Sequence, residues 1–482
     1  MLVAVAAALG LGACAAGPDY QRPGTELPAA WTTEKPWRAG KPADAAERGN
    51  WWEMFGDPRL NALEADAVAH NQTLLVAGER LAQARAQAKV AAAALLPSLN
   101  GNAGAMRDRI SADRPRSSYT IPNSSTVQND LTAGFSVHYE LDLFGGVRRG
   151  GEAARAGAGP AGAGLANAQL ILTAELAADY FNLRELDAEI DVVGQNIGAE
   201  KRALEFVSAR HDMGVASGLD LAQQQSQLDT TVTQFDLLRV QRAQFEHAIA
   251  TLTGVPAPAF ALAPEIVALK LPDIPVGVPS DLLERRPDVA SAERAVAAAN
   301  AQIGVAKAAY FPSLPLVGAY GVESNTAATL FNSASNLWSL GVSATQPLFD
   351  AGRISANVDF ARAGYRATVA QYRQTVLTAM QEVEDGMTGI GNLERAAAES
   401  GAAVASAQRV VDLANDRYTG GLATYLDVVT AQQALLTNER QRVQIGGQQM
   451  LVAVFLVKAL GGGWSDGTAP LAQGTTPRNA SR

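Results

Sequence analysis

Two periodicities of apolar positions divide this chain. The stretches Leu60–Leu96, Leu165–Met213, Leu219–Leu252, Val289–Phe311, Ile354–Thr419 and Leu426–Leu460 are rich in Ala, Gln, Leu, Arg and Glu and read as helices. At ~1.5 Å per residue, Leu165–Met213 would extend ~75 Å and Ile354–Thr419 ~100 Å. Ordinary globular helices run about 8–20 residues, so these lengths predict coiled-coil or tubular packing, and abundant Ala lets neighbouring backbones approach closely. Gly157, Gly159, Pro160, Gly162 and Gly164 predict a kink at the start of the first long helix.

Period two appears in four short segments. Leu131, Ala133, Phe135, Val137, Tyr139 and Leu141 alternate with Thr132, Gly134, Ser136, His138 and Glu140. Trp338, Leu340, Val342 and Ala344 alternate with Ser339, Gly341, Ser343 and Thr345. Each reads as a strand with one apolar and one polar face. Asn100–Met106 and Leu314–Gly321 are their weaker partners, and Pro315 confines the latter to an edge or a strand start. Polar connections, Arg107–Asp130 and the shorter Glu323–Asn336, separate the strands of each pair.

The chain repeats itself. Ala84–Gln87 running to Pro97-Ser98-Leu99 returns as Ala299–Gln302 running to Pro312-Ser313-Leu314. Phe144–Arg148 returns as Phe349–Arg353, and Arg210 through Asp220 to Gln225 returns as Arg417 through Asp427 to Gln432. Three blocks in one order argue for duplication. The organisation predicted is a leader (1–13), an extended segment (14–58), a first repeat (59–254), a Pro-rich link (255–287), a second repeat (288–463) and a polar tail (464–482).

Composition narrows the function. The chain has 482 residues, 48% of them hydrophobic, enough for a sizeable core, and its net charge of −9 argues against nucleic acid as a partner. The one cysteine, Cys14, ends the run Leu11-Gly12-Ala13-Cys14 behind an apolar stretch. Small residues before a lone cysteine resemble a lipobox, which predicts a lipid on Cys14; the bland alternative is a buried thiol. The leader lacks the Lys or Arg expected at its start, which points to a truncated or misassigned beginning. Ala15 in place of Asp predicts export to the outer membrane.

No stretch reaches the ~20 apolar residues a membrane helix needs, whereas barrel strands are short and alternating. Four strands cannot close, and an open edge in lipid leaves unpaired backbone groups costing several kcal/mol each, so a membrane sheet would have to be shared between subunits. On these residues alone a small soluble sheet on a helical protein stays open as the alternative.

No catalytic chemistry emerges. His70, His138, His211 and His247 are scattered without metal-ligand spacing, and neither a P-loop, a nucleophile elbow nor a dinucleotide fingerprint is present. Arg285 and Arg286 read as structural pairing residues. Two turns are more informative. Gly214 precedes Ser217 and Asp220, and Gly420-Gly421 precedes Thr424 and Asp427. A glycine stop followed by Ser or Thr with an acid three residues later predicts two helical hairpins with capping boxes.

The ordered motifs Gly17-Pro18-Asp19-Tyr20 with Pro23, Trp51-Trp52, Phe55, Asp57-Pro58, Leu60, Asn71 and Leu74 resemble the outer-membrane factors of tripartite efflux systems. The resemblance continues through Pro279–Asp288, Ala298–Gly304, Phe311–Leu314, Tyr418, Gly420-Gly421, Tyr425–Val428 and Gln432. It covers nearly the whole mature chain and points to the TolC-like family, in its lipid-anchored OprM and NodT-type branch.

The resemblance implies a mainly α fold with a membrane β portion. Three subunits would form a twelve-stranded barrel, four strands each, continued by a long periplasmic α-barrel with a mixed equatorial belt. It implies a homotrimer in the outer membrane of a Gram-negative bacterium that passively conducts small molecules. Its partners would be a periplasmic adaptor and an inner-membrane pump of the resistance-nodulation-division type. No cofactor is implied beyond the lipid on Cys14. Protein secretion, metal efflux and a non-conducting scaffold are the alternatives.

Carried over by position, Leu426 matches an apolar ring at the periplasmic aperture. The family's acidic position falls on Thr430, leaving Asp427 as the nearest carboxylate. Leu219 and Asp220 are the counterparts in the first hairpin. The alternative role for Asp220 and Asp427 is helix capping alone.

Overall fold

The computed structural model describes residues 17–24, 49–113, 125–267, 270–274 and 285–462. Cys14 and its lipobox, the first six residues of Pro279–Asp288 and the polar tail lie outside the described residues. The elements follow the chain as α1 (Pro58–His70), α2 (Gln72–Ala93), β1 (Ser98–Ile110), β2 (Thr126–Glu140) and α3 (Gly146–Asp212). Next come α4 (Gly218–Leu252), α5 (Pro287–Ala308), β3 (Pro315–Ser324), β4 (Asn336–Val342), α6 (Arg353–Thr419) and α7 (Tyr425–Ala459). The fold is mainly α with a small β portion.

Two compact units cut across the repeats. The first holds Arg80–Gly162 and Ser291–Tyr372 with residues 17–24; the second holds Ala163–Ala290, the helices after Tyr372, and α1. In the first unit the strands form one antiparallel sheet in the order β1-β2-β3-β4, with β1 and β4 at its two edges. Its register puts Leu99 opposite Val137, Ala103 opposite Ala133 and Ala105 opposite Leu131. The same face continues through Phe135 opposite Tyr320, Tyr320 opposite Trp338, and Leu316 opposite Val342. The other face carries Asn100, Asn102, Thr132, Ser136 and His138, with Asn102 Nδ2 donating to Ser136 Oγ at 2.9 Å. Pro315 opens its strand, where its missing N–H costs least.

Three sequence expectations need correction. The single helix read from composition over Leu60–Leu96 is two helices, the second opened by Asn71 and Leu74 as the family resemblance implies. Asn71 leaves helical geometry, its Oδ1 accepts from the Leu74 N–H at 3.0 Å, and its Nδ2 donates to the Leu252 carbonyl at 2.9 Å. Satisfying the orphan N–H at the start of α2 makes the break stable.

The second correction concerns the Gly/Pro run. It starts no helix late: α3 runs through Pro160 from Gly146. Gly159 lies close against α5, where a Cβ would stand 2.7 Å from the Arg294 Cδ, whereas a Cβ on Gly157 or Gly164 would meet nothing within 4 Å.

The third is that β1 and β2 run on into the segment read as a polar loop, Arg107–Asp130, giving strands of 13 and 15 residues against 10 and 7 for β3 and β4. The difference between the two connections therefore lies chiefly in the strands.

In the second unit Asp57 caps α1, accepting from Arg59 N at 2.8 Å, and takes a hydrogen bond from the buried Tyr180 hydroxyl at 2.6 Å. The described part of the Pro-rich link is pinned. Arg184 and Arg242 share buried Asp187 at 2.8 and 2.6 Å and donate to the carbonyls of Ala263 and Leu262. Arg286 pairs with Asp288 at 2.7 Å and Glu382 at 2.5 Å and donates to the Ala459 carbonyl. Breaking one partner of such a buried pair typically costs ~3–5 kcal/mol.

Candidate functional site

Both hairpins are built from the same two devices. After α3, Gly214 takes φ +73°, its N–H donates to the His211 carbonyl and that of Val215 to the Arg210 carbonyl, each at 2.8 Å. After α6, Gly421 takes φ +72°, with Gly421 N–H on the Tyr418 carbonyl and Leu422 N–H on the Arg417 carbonyl. This paired pattern closes a helix whose next residue must be left-handed, and glycine alone adopts that geometry without Cβ strain. Gly420 stays on the ordinary side of φ, so Gly421 is the residue the turn requires.

Each following helix opens with a capping box, Ser217 with Asp220 and Thr424 with Asp427. Asp427 accepts from the Thr424 N–H at 2.9 Å and its hydroxyl at 2.8 Å. Those bonds, and then Arg417 nearby, hold its carboxyl below the ordinary carboxylate value although it is fully exposed.

The surroundings of the two hairpins differ. Leu426, Asp427 and Thr430 line a groove of about 880 Å³ together with Val410, Leu413 and Leu422. Leu426 is 55% exposed and Leu422 74%, so the groove presents an open apolar stripe with one carboxylate on it. Leu219 and Asp220 lie on α4, outside that groove. Asp220 instead accepts a hydrogen bond from Tyr418 Oη at 3.3 Å, which ties the first hairpin to the end of α6. The structure thus brings Leu426, Asp427 and Thr430 together and leaves Leu219 and Asp220 in a separate place.

Sequence reading missed the core beneath. Tyr418 and Tyr425 pack edge to face at 4.9 Å, with Val207, Val428 and Val429 buried around them. Arg210 lies over the Tyr418 ring at 5.2 Å, a cation–π contact. Tyr425 Oη donates to Gln224 at 2.7 Å, and Gln224 donates to the Glu200 carbonyl at 3.0 Å. Gln227 and Thr231 both donate to Glu200 Oε1 at 3.0 Å, while Oε2 is buried with no partner among the described residues. Burial raises the Glu200 pKa above the ordinary carboxylate value, and the two hydrogen bonds oppose that rise. The available signal was the run of glutamines at 223–225 and 227, of which Gln224 and Gln227 are buried.

The outer membrane efflux protein family matches residues 63–255 and 278–462. The chain belongs to that family. It is 33% identical to the pyoverdine export outer membrane protein OpmQ of Pseudomonas aeruginosa over 470 residues, 97% of this chain and 98% of the relative. It is 32% identical to the toluene efflux pump outer membrane protein TtgF of Pseudomonas putida, over 96% of this chain and 97% of that protein. The Campylobacter jejuni CmeC outer membrane channel superimposes with a TM-score of 0.86 at 25% identity, covering 95% of this chain and 96% of that one.

As an outer membrane efflux protein, the chain is a channel subunit of the outer membrane, in a family of efflux ducts. That location gives the sheet its meaning. Among the described residues no helix is long and apolar enough to cross a membrane. Phe135, Tyr320, Trp338 and Leu340 stand exposed on one face of the sheet, as side chains facing lipid do.

Proposed function

We propose that three copies of this chain close one twelve-stranded barrel and conduct small solutes passively through it, with the second hairpin forming the periplasmic closure. The observation that carries this reading is the sheet: four strands, two open edges and a continuous apolar face exposed in the single chain. In lipid those edges must be paired, because unpaired backbone groups there cost several kcal/mol each. Four strands fall short of the smallest membrane barrels, at about eight, so the partners are further copies.

In this reading Leu422 and Leu426 meet their symmetry mates near the axis and exclude water, while Asp427 sets the charge of the opening. Gly214, Ser217, Gly420, Gly421 and Thr424 shape the hairpins that a periplasmic adaptor engages. An inner-membrane pump, of the resistance-nodulation-division type, supplies the energy. A lipid on Cys14 adds a second attachment to the membrane beside the barrel. Small-molecule cargo is supported by the export of pyoverdine and toluene ascribed to the relatives.

Native mass spectrometry in detergent should give three copies, and planar bilayers should show channels. Leu426→Ser should raise the resting conductance several-fold. A stable inserted monomer would refute the argument from open edges, and a wild-type protein that inserts without conducting would favour a scaffold. Mass spectrometry of the mature N-terminus should find acylated Cys14.

A further inference from the structure

The apolar face of the sheet ends in two arginines. Its rows run from Tyr139 opposite Leu316 to Ala105 opposite Leu131. At ~3.4 Å per residue and a tilt of about 40°, they cover ~20 Å of height, close to the ~25 Å apolar band of a membrane barrel. The next pairs on the same face are Arg107 opposite Asn129 and Arg109 opposite Val127. Both arginines are exposed, and neither pairs with a carboxylate among the described residues; Arg109 Nε donates only to Ser125 Oγ, at 3.0 Å.

The acids at this level point the other way. Asp130, opposite Met106, and Asp108, opposite Gln128, lie on the polar face. Positive charge is therefore sorted to the lipid side and negative charge to the lumen side.

This margin is also the one remote from the helices. α2 enters β1 at Ser98 and α3 leaves after Glu140, whereas Ile110 and Thr126 sit at the opposite strand ends. With the helices in the periplasm, Arg107 and Arg109 stand ~5 and ~10 Å beyond the last apolar row at the outer leaflet, among headgroups. Guanidinium groups match phosphate oxygens in fork geometry, and an arginine on the lipid face is nearly free of penalty only near the interface.

We propose that Arg107 and Arg109 form a phosphate-binding site for lipid A, the phosphorylated glucosamine lipid of the outer leaflet. The assignment rests on the barrel reading above. Phospholipid headgroups of the inner leaflet meet the other end of the sheet, so lipid A is the occupant to which this margin is matched.

The test uses the full-length protein in neutral detergent, with binding of bis-phosphorylated lipid A measured by native mass spectrometry. Arg107→Gln combined with Arg109→Gln should weaken binding roughly tenfold, as expected for losing two charge-assisted contacts. The corresponding pair of Lys substitutions should retain most of it. Asp108→Asn with Asp130→Asn should leave it unchanged. Raising salt from about 50 to 500 mM should displace the lipid from the wild type, a reading that needs no variant.

Equal binding by the wild type and the Gln pair would overturn the proposal, as would equal binding of phosphatidylglycerol or salt-insensitive binding. Bilayer conductance of the wild type separates the two levels. Failure to insert sinks the barrel reading, whereas inserted, conducting channels whose lipid A affinity ignores the arginines sink only the lipid site.

Discussion

In the sheet, Phe135, Tyr320 and Trp338 are 59%, 62% and 76% exposed; at the hairpin ends, Tyr418 and Tyr425 are 8% and 3% exposed. The aromatic residues of the first region have strand neighbours but nothing above them. Those of the second are covered by Val207, Val428 and Val429 and hold a hydrogen-bond network through Gln224, Glu200 and Gln227. One chain therefore completes the core beneath its hairpins, while its sheet, like the Leu422 and Leu426 stripe, stays open. The hydrophobic drive that folds the hairpin core is satisfied within the subunit. In the sheet it remains available for lipid on one face, and the open edges remain available for neighbouring copies.

The largest effect should come from attacking the unfinished region. Phe135→Arg places a charge near the middle of the apolar rows and should destabilise the assembled barrel by about 2–4 kcal/mol. Ser136→Arg, one residue along, turns to the polar face beside Asn102 and should be tolerated far better. Urea titration of the detergent-solubilised assembly checks both. Equal damage from both would mean that the alternation of lipid-facing and lumen-facing positions has been misread.

The same contrast explains what the sequence disclosed. Alternation over Leu131–Leu141 announced β2, because an apolar face toward lipid must repeat every second residue. It could not announce Thr126–Asp130, where the ladder continues beyond the apolar band and side-chain polarity no longer follows pairing. The hairpin turns were legible because Gly214, Ser217 and Asp220, like Gly421, Thr424 and Asp427, use local backbone chemistry. Their surroundings were hidden, since the Tyr418–Asp220 and Tyr425–Gln224 contacts join residues about two hundred positions apart. The Gly/Pro run misled about where α3 begins for the same reason: the approach of Arg294 to Gly159 is tertiary.

The hairpins can also be set against each other. A Cβ on Gly214 or Gly421 would meet nothing within 4 Å, so Gly214→Ala and Gly421→Ala should each cost only the left-handed strain, about 1–2 kcal/mol. Hydrogen exchange at the Val215 and Leu422 amides should accelerate equally in the two variants. A markedly larger loss at one turn would show that the shared backbone hides a difference in packing.

Below this, the buried network should respond to pH. Burial lifts Glu200 above its ordinary value of 4.5, so the unfolded chain gives up this proton first. Its contribution to stability is complete below about pH 4.5 and is lost as pH rises through the raised value. Glu200→Gln keeps a carbonyl acceptor for Gln227 and Thr231 and removes the ionisation. Denaturant midpoints of the variant should therefore fall less between pH 5 and pH 8 than those of the wild type. Parallel curves would mean that the buried Oε2 is solvated after all.

The smallest effect is expected at Asp427, and it distinguishes a gate from a cap. Asn at 427 can still accept from the Thr424 N–H, so Asp427→Asn should leave the hairpin folded, as should Asp220→Asn in the first hairpin. Only the second hairpin's carboxylate stands in the open groove, so only Asp427→Asn should lower the preference of the channel for cations over anions. The change should be modest and visible near 0.1 M salt, where charges act over about 10 Å. It should vanish at 1 M, where the range shrinks to about 3 Å. Because Thr424 and Arg417 hold the Asp427 carboxyl below its ordinary value, it stays charged through mild acid. Wild-type selectivity should then be flat from pH 7 to pH 5 and decline only under strongly acidic conditions. Identical reversal potentials for wild type and Asp427→Asn at low salt would leave Asp427 as a helix cap and move the charge-selective constriction elsewhere in the channel.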